Sequence, residues 1–419
     1  MFKPTVHTVF FCIGVMFFVA VKTQAAAVEI ESGSWGDWIT QQVDKHPEIM
    51  AAKERMNAAF SMAENSEKAT YNPELESEYE FYDNEEGDNY RIGLSQSIDL
   101  WDKRGARTEQ AAFSRIMAKQ GYRSLRQQKI SQVLVALSEW RAAKQLAEFS
   151  SRQEKQLNTL LNLVDQRQRS GDLGQVDAEL AFLGLSQTLN AAAQAQAVRV
   201  VSEFKVRELL FGWSPTSAQI PESFWLDNRF SVVLDKVELD ALLDAHPAIV
   251  AARAEWQAQE KQAVLADREA KSDPTFGLNG GQDAGVNVVG ISFSMPINIR
   301  NNYHAQVRAA SQEALAAESQ YRALRRQQAY SMKASAANFK QYFQRFYRWQ
   351  NLNEKRAKSS GKLLQKQWRS GDFSTAEYLL ALQQRADGLS AGIELRQRFE
   401  ASRIEWLLDI GQLDKALKL

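Results

Sequence analysis

The sequence predicts a mainly α-helical chain that also carries a few membrane-crossing β-strands, all laid out as two copies of one plan. Three observations lead there. First, Arg169-Ser170-Gly171-Asp172 returns as Arg369-Ser370-Gly371-Asp372, an offset of 369 − 169 = 200 residues, and His46-Pro47 returns as His246-Pro247 at the same offset. A period this long exceeds solenoid modules and reads as half of a fold, duplicated. Second, each repeat of the four-residue stretch lies between two long runs with helical periodicity. Third, each half contains a short stretch where the apolar period drops from 3.6 to 2.

The chain opens with Met1-Phe2-Lys3, an apolar run from Val9 to Val21, and small residues at Ala25-Ala26. This describes a secretory leader (1–25) with cleavage after about Ala25. The run is shorter than the ~20 residues a spanning helix needs. The single cysteine, Cys12, falls inside it, so the rest of the chain has no disulfide and no thiolate metal site. The 51 basic and 51 acidic residues cancel, which excludes a global basic field for nucleic acid. No later segment is apolar enough to span as a helix, so any membrane crossing must be made by strands.

The first repeat is expected over 26–212. Trp38, Ile39 and Val43 share a helical face. Pro47 starts the next helix, where the missing N–H of proline costs nothing. After Pro73, Glu74, Glu76, Glu78 and Glu80 alternate with Leu75, Ser77, Tyr79 and Phe81; after a polar turn, Tyr90, Ile92 and Leu94 alternate with polar or small neighbours. This predicts a β-hairpin over 74–100. A helical hairpin over 103–211 follows. Its first helix is marked by Ile130, Val133, Leu134, Leu137, Trp140, Leu157 and Val164, and would be roughly 100 Å long at ~1.5 Å per residue. A turn at Gly171 reverses it, and the return helix runs through Val176, Leu180, Leu183, Leu189, Val200 and Phe204. Small and polar flanks suit coiled-coil contact with neighbours better than a globular core.

A linker (213–236) leads to the second repeat (237–419), with a helix containing His246-Pro247, a β-hairpin over 274–296 and a helical hairpin over 302–411. In that β-hairpin Phe276, Leu278, Val289, Ile291, Phe293 and Met295 alternate with Gly, Asn and Ser. Four strands leave two open edges, which a bilayer does not tolerate. Two chains would give eight strands and a filled interior; three would give twelve and a wet passage. The glutamate face of the first strand suits a wet lumen, although a soluble hairpin with one solvated face shows the same alternation.

These features resemble the TolC-type outer-membrane factors over nearly the whole mature chain. Gly93-Leu94-Ser95-Gln96 leading to Asp102-Lys103-Arg104-Gly105-Ala106-Arg107, and Met295-Pro296-Ile297 leading to Arg300-Asn301, resemble the heavy-metal cation efflux (CzcC-like) branch. The resemblance implies a homotrimeric channel-tunnel with a twelve-stranded barrel in the outer membrane of a Gram-negative bacterium and helices in the periplasm. It implies a periplasmic adaptor (membrane fusion) protein and an inner-membrane RND-type pump as partners, outer-membrane lipid around the barrel, and heavy-metal cations or else small organic toxins as cargo. It also implies residue roles. Arg169, Ser170, Gly171, Asp172 and Arg369, Ser370, Gly371, Asp372 would dock the adaptor. Asp177, Glu377 and Trp368 would form the tunnel gate, with Leu380 departing from an often acidic position. Glu74, Glu76, Glu78 and Glu80 would line the lumen. Neither a metal-ligand spacing nor a Ser/His/Asp set nor a phosphate loop occurs, so no cofactor and no catalytic site are expected. A periplasmic adaptor, or an exported coiled-coil scaffold, is the rival reading; the adaptor would carry one helical hairpin between β-rich modules, where this sequence has two.

Overall fold

The computed structural model describes residues 35–81, 89–171, 174–216, 220–226 and 236–417, with the backbone alone at 236 and 353–359. The expected leader, the first β-turn and Asp172 lie outside these residues. The first half runs α1 (Trp35–Asp44), α2 (Pro47–Ser66), β1 (Glu74–Glu80), β2 (Asn89–Ser97), α3 (Lys103–Arg169) and α4 (Gln175–Leu209). After a short α5 (Glu222–Trp225), the order repeats as α6 (Lys236–Ala245), α7 (Pro247–Glu269), β3 (Thr275–Asp283), β4 (Val286–Ser294), α8 (His304–Arg369) and α9 (Thr375–Asp409), with α10 (Leu413–Leu417) at the end. The long helices have 67 and 66 residues and their return helices 35 each.

Both His-Pro pairs start helices. The Nδ1 of His46 accepts the Glu48 N–H and that of His246 accepts the Ala248 N–H, each at 3.3 Å. A histidine thus does the work of an N-cap serine, because the first helical amides have no partner within the helix. The single helix expected over 237–271 is therefore two, broken at His246.

The main core gathers where α1, α3, the end of α4, α8 and α9 meet, around Trp225, Trp406, Phe339, Phe346, Phe399 and Leu134. The described part of 213–236 is packed into it. Trp213, Phe224 and Trp225 are buried. Glu222 bridges Arg141 of α3 and Arg396 of α9, and the buried Glu400 takes hydrogen bonds from Ser138, Arg141 and Arg396 at 2.8, 3.2 and 3.0 Å. This segment is a strap across both helical hairpins. A second, smaller cluster lies near the hairpin ends, around Leu157, Leu161, Val164, Ala181, Trp368 and Tyr378. Between the two clusters the hairpins separate around a cavity of about 700 Å³ lined by α3, α4 and α9.

The four strands form one antiparallel sheet in the order β1-β2-β3-β4. The two hairpins, one from each repeat, join through β2 and β3, with Leu94 opposite Leu278 and Ser97 opposite Thr275. Among the described residues, the outer edges of β1 and β4 face no other strand. Among the described residues no helix is long and apolar enough to cross a membrane.

Candidate functional site

The pairing register sorts the sheet into two faces. Leu75 stands opposite Leu94, Leu94 opposite Leu278 and Leu278 opposite Ile291, so one apolar row crosses all four strands. Tyr79, Ile92, Phe276, Val289 and Phe293 share that face. They are exposed, Val289 and Ile291 by 92% and 86%. The other face carries Glu74, Glu76, Glu78 and Glu80, then Arg91 and Ser95, then Asn279, then Ser292 and Ser294. Glu76 accepts from Ser95 Oγ at 3.0 Å and Glu78 lies 3.7 Å from Arg91. Glycines concentrate on this polar face, where an added side chain would clash. A Cβ at Gly281 would stand 1.9 Å from the Tyr90 carbonyl oxygen, and one at Gly277 2.4 Å from Ser292 Oγ. Glycine in a strand marks such close approaches of a neighbouring backbone or side chain.

Where strands become helices, the Asp102–Arg107 stretch acquires a physical reason. Asp99 accepts the Lys103 and Arg104 amides, both at 2.8 Å, and caps α3. Asp102 takes a left-handed backbone conformation (φ 53°) and accepts from Gly105 N. A Cβ on Gly105 would meet that carboxylate at 2.4 Å. The Lys103 ammonium is buried, 2.9 Å from Asp273 and 2.6 Å from the Lys271 carbonyl. The Tyr71 hydroxyl donates to Asp273 at 2.7 Å, and burial together with that bond pushes its pKa up to about 12. This polar knot ties the base of β2 to the base of β3, and sequence reasoning missed it because its members lie about 170 residues apart.

At the hairpin ends, Gly171 and Gly371 have φ of +81° and +83°, and the second turn closes as a Schellman motif, Asp372 N–H donating to the Gln367 carbonyl at 3.0 Å. Arg169 is exposed and pairs with Asp165 within its own helix; Arg369 is exposed as well. Ser370 Oγ donates to Asp372 at 2.8 Å. Glu377 and Ser374 form a capping box: the carboxylate accepts the Ser374 N–H and hydroxyl, both at 2.9 Å, which holds its pKa below the ordinary range. Asp177 sits half-buried in the first turn of α4, whose N-cap, Gly174, offers no side chain. Leu380 is exposed by 57%.

Trp368 is buried. Its ring stacks on Tyr378 at 5.1 Å, its Nε1 donates to Thr375, and the Arg167 guanidinium of α3 lies over it at 5.0 Å. A side-chain hydrogen bond joins Tyr378 to Gln156 of α3. The two hairpins are thus clasped to each other near their ends. Aligning the halves at the 200-residue offset would have exposed this clasp, because Gln168 and Ala178 stand where Trp368 and Tyr378 do.

Among the described residues no group of His, Cys, Asp or Glu is placed to hold a metal ion. Residues 38–210 match the outer membrane efflux protein family. No curated protein matches the chain in sequence. Solved structures match it throughout. The outer membrane channel CmeC of Campylobacter jejuni superposes with a TM-score of 0.72 over 98% of this chain and 94% of its own, at 13% identity. The MtrE channel of Neisseria gonorrhoeae, in its open state, gives 0.71 over 90% and 89% at 16% identity. The outer membrane protein VceC of Vibrio cholerae gives 0.71 over 90% and 96% at 14% identity. This is the channel-tunnel fold. It accounts for the paired helical hairpins and for a sheet that one chain leaves open at both edges.

Proposed function

We propose that this chain is the outer-membrane duct of a tripartite efflux system, a homotrimer whose 3 × 4 = 12 strands close a barrel above a helical tunnel. The observation that carries this reading is the uncovered apolar surface of the single chain. The sheet presents an apolar row on one face only. The series on α4 that should pack inward is exposed: Val176 by 74%, Leu183 by 61% and Phe204 by 64%. Soluble monomers rarely expose contiguous patches of this kind. Lipid suits the first surface and neighbouring copies suit the second.

The duct performs no chemistry; its charges select by sign. The four glutamates of β1 and the Glu377 carboxylate, which its cap keeps ionised, favour cations along the path. Together with the resemblance at Gly93–Gln96 and Asp102–Arg107, this supports heavy-metal cations as cargo. An inner-membrane RND-type pump would supply the energy through a periplasmic adaptor docked on the Arg169–Asp172 and Arg369–Asp372 ends. In cells that depend on this system, Gly371→Trp should abolish efflux while trimer and barrel persist. Normal metal export by that variant would remove the docking assignment.

A further inference from the structure

We propose that the helix-side rim of the sheet is a binding surface for anionic phospholipid head groups, an inference that rests on the barrel reading above. The register puts Ser97, Thr275 and Ser294 at one end of the sheet, so the segments leading to α3 and α8 depart from the same rim. The apolar alternation does not stop with the pairing. On β4 it continues from Ile291 and Phe293 through Met295, Ile297 and Ile299, the last two exposed by 79% and 82%. On β2 it continues through Ile98 and Leu100. Beyond Ile98, whose N–H still donates to the Pro274 carbonyl at 2.9 Å, no ladder geometry calls for this pattern, and all five side chains are exposed.

Each segment then brings one aromatic ring and one arginine within four residues, in opposite orders. Leu100 is followed by Trp101 and Arg104; Ile299 is followed by Arg300 and Tyr303. The Trp101 indole is held in place, its Nε1 donating to the Ser272 carbonyl at 2.9 Å with the Lys271 ammonium 5.2 Å from the ring. Aromatic and cationic side chains just beyond an apolar run are what is met on leaving a bilayer core for its head groups. Neighbouring cations are already matched: Arg107 with Glu269 and Arg268 with Asp102. Among the described residues, no carboxylate pairs with the exposed Arg104 or Arg300. A planar guanidinium beside an apolar ledge fits a phosphate diester, which it can bind through two N–H groups.

The test is native mass spectrometry of the intact particle after titration with phosphatidylglycerol or with phosphatidylcholine of the same chains. The wild type should retain phosphatidylglycerol in preference. In R104Q/R300Q that preference should fall about 25-fold, about fivefold for each arginine at a membrane surface. The remote double variant K119Q/R345Q should keep it. Equal retention of the two lipids by the wild type would overturn the proposal, and so would an unchanged preference in R104Q/R300Q. Loss of chains from the R104Q/R300Q particle with lipid preference intact would assign the arginines to a neighbouring copy instead. Failure of the barrel reading looks different: a detergent-free single chain that carries neither lipid.

Discussion

The two helical hairpins share their lengths, their Arg-Ser-Gly-Asp turn and the positive φ of its glycine, yet their ends are built differently. The second end is self-supporting: the Trp368–Tyr378 stack and the Ser374–Glu377 capping box both lie within α8, α9 and their turn. At the corresponding positions the first end has Gln168, Ala178, Gly174 and Asp177, and α4 starts without a side-chain cap. What steadies the first end comes partly from the second, through Arg167 on Trp368 and Gln156 on Tyr378. Duplication kept the backbone plan, while the side chains divided the labour. One hairpin holds its own shape; the other leans on it and keeps its apolar side exposed.

Removing the clasp should have the largest effect. Trp368→Ala deletes a buried ring and should cost about 3–5 kcal/mol. Hydrogen exchange should then quicken in the final turns of both α3 and α8, and basal ion conductance should rise. Gln168→Ala, at the matching position, should stay within about 0.5 kcal/mol. If both variants behave alike, the asymmetry carries no energy.

Gly171→Ala and Gly371→Ala should cost about the same, ~1–2 kcal/mol each, because both positions are left-handed and nothing crowds the added Cβ at either. A large difference between them would show that turn geometry, and not side-chain packing, separates the two ends. Next, Ser374→Ala should loosen the first turn of α9 by ~1 kcal/mol, whereas Gly174→Ser should tighten that of α4 by a few tenths of a kcal/mol. Hydrogen exchange localised to each first turn reads both.

The two His-Pro starts extend the comparison to pH. His246 is buried against α9, its Nε2 3.3 Å from the Leu408 carbonyl, and burial pushes its pKa below the ordinary 6.5. Its folded state favours the neutral ring, so its contribution to stability is complete above about pH 6.5 and is lost as pH falls through the depressed folded value. Unfolding followed against pH should show this loss in the wild type and not in His246→Asn, which keeps a capping oxygen without a titrating ring.

Much of the plan was legible before any coordinates. The drop in period at Pro73 and Pro274 marked the strands, because side chains alternate strictly across a pleat. The His-Pro and Gly-Asp steps marked helix ends, because backbone constraints there are local. What stayed hidden was non-local or depended on other copies. Lys103 and Asp273 meet only when the two hairpins join edge to edge. The strap at Glu222 read as linker because four helical residues leave no periodicity. The series from Val176 to Phe204 did read as a helical stripe, but periodicity does not say whether its partner lies in the same chain. Here none does.

The composition of the membrane-extracted particle tests the central claim most directly. Mass measurement in detergent should give three chains per particle, recovered with the outer-membrane fraction and losing solubility when detergent is withdrawn. A stable single chain that stays dissolved without detergent would contradict the account.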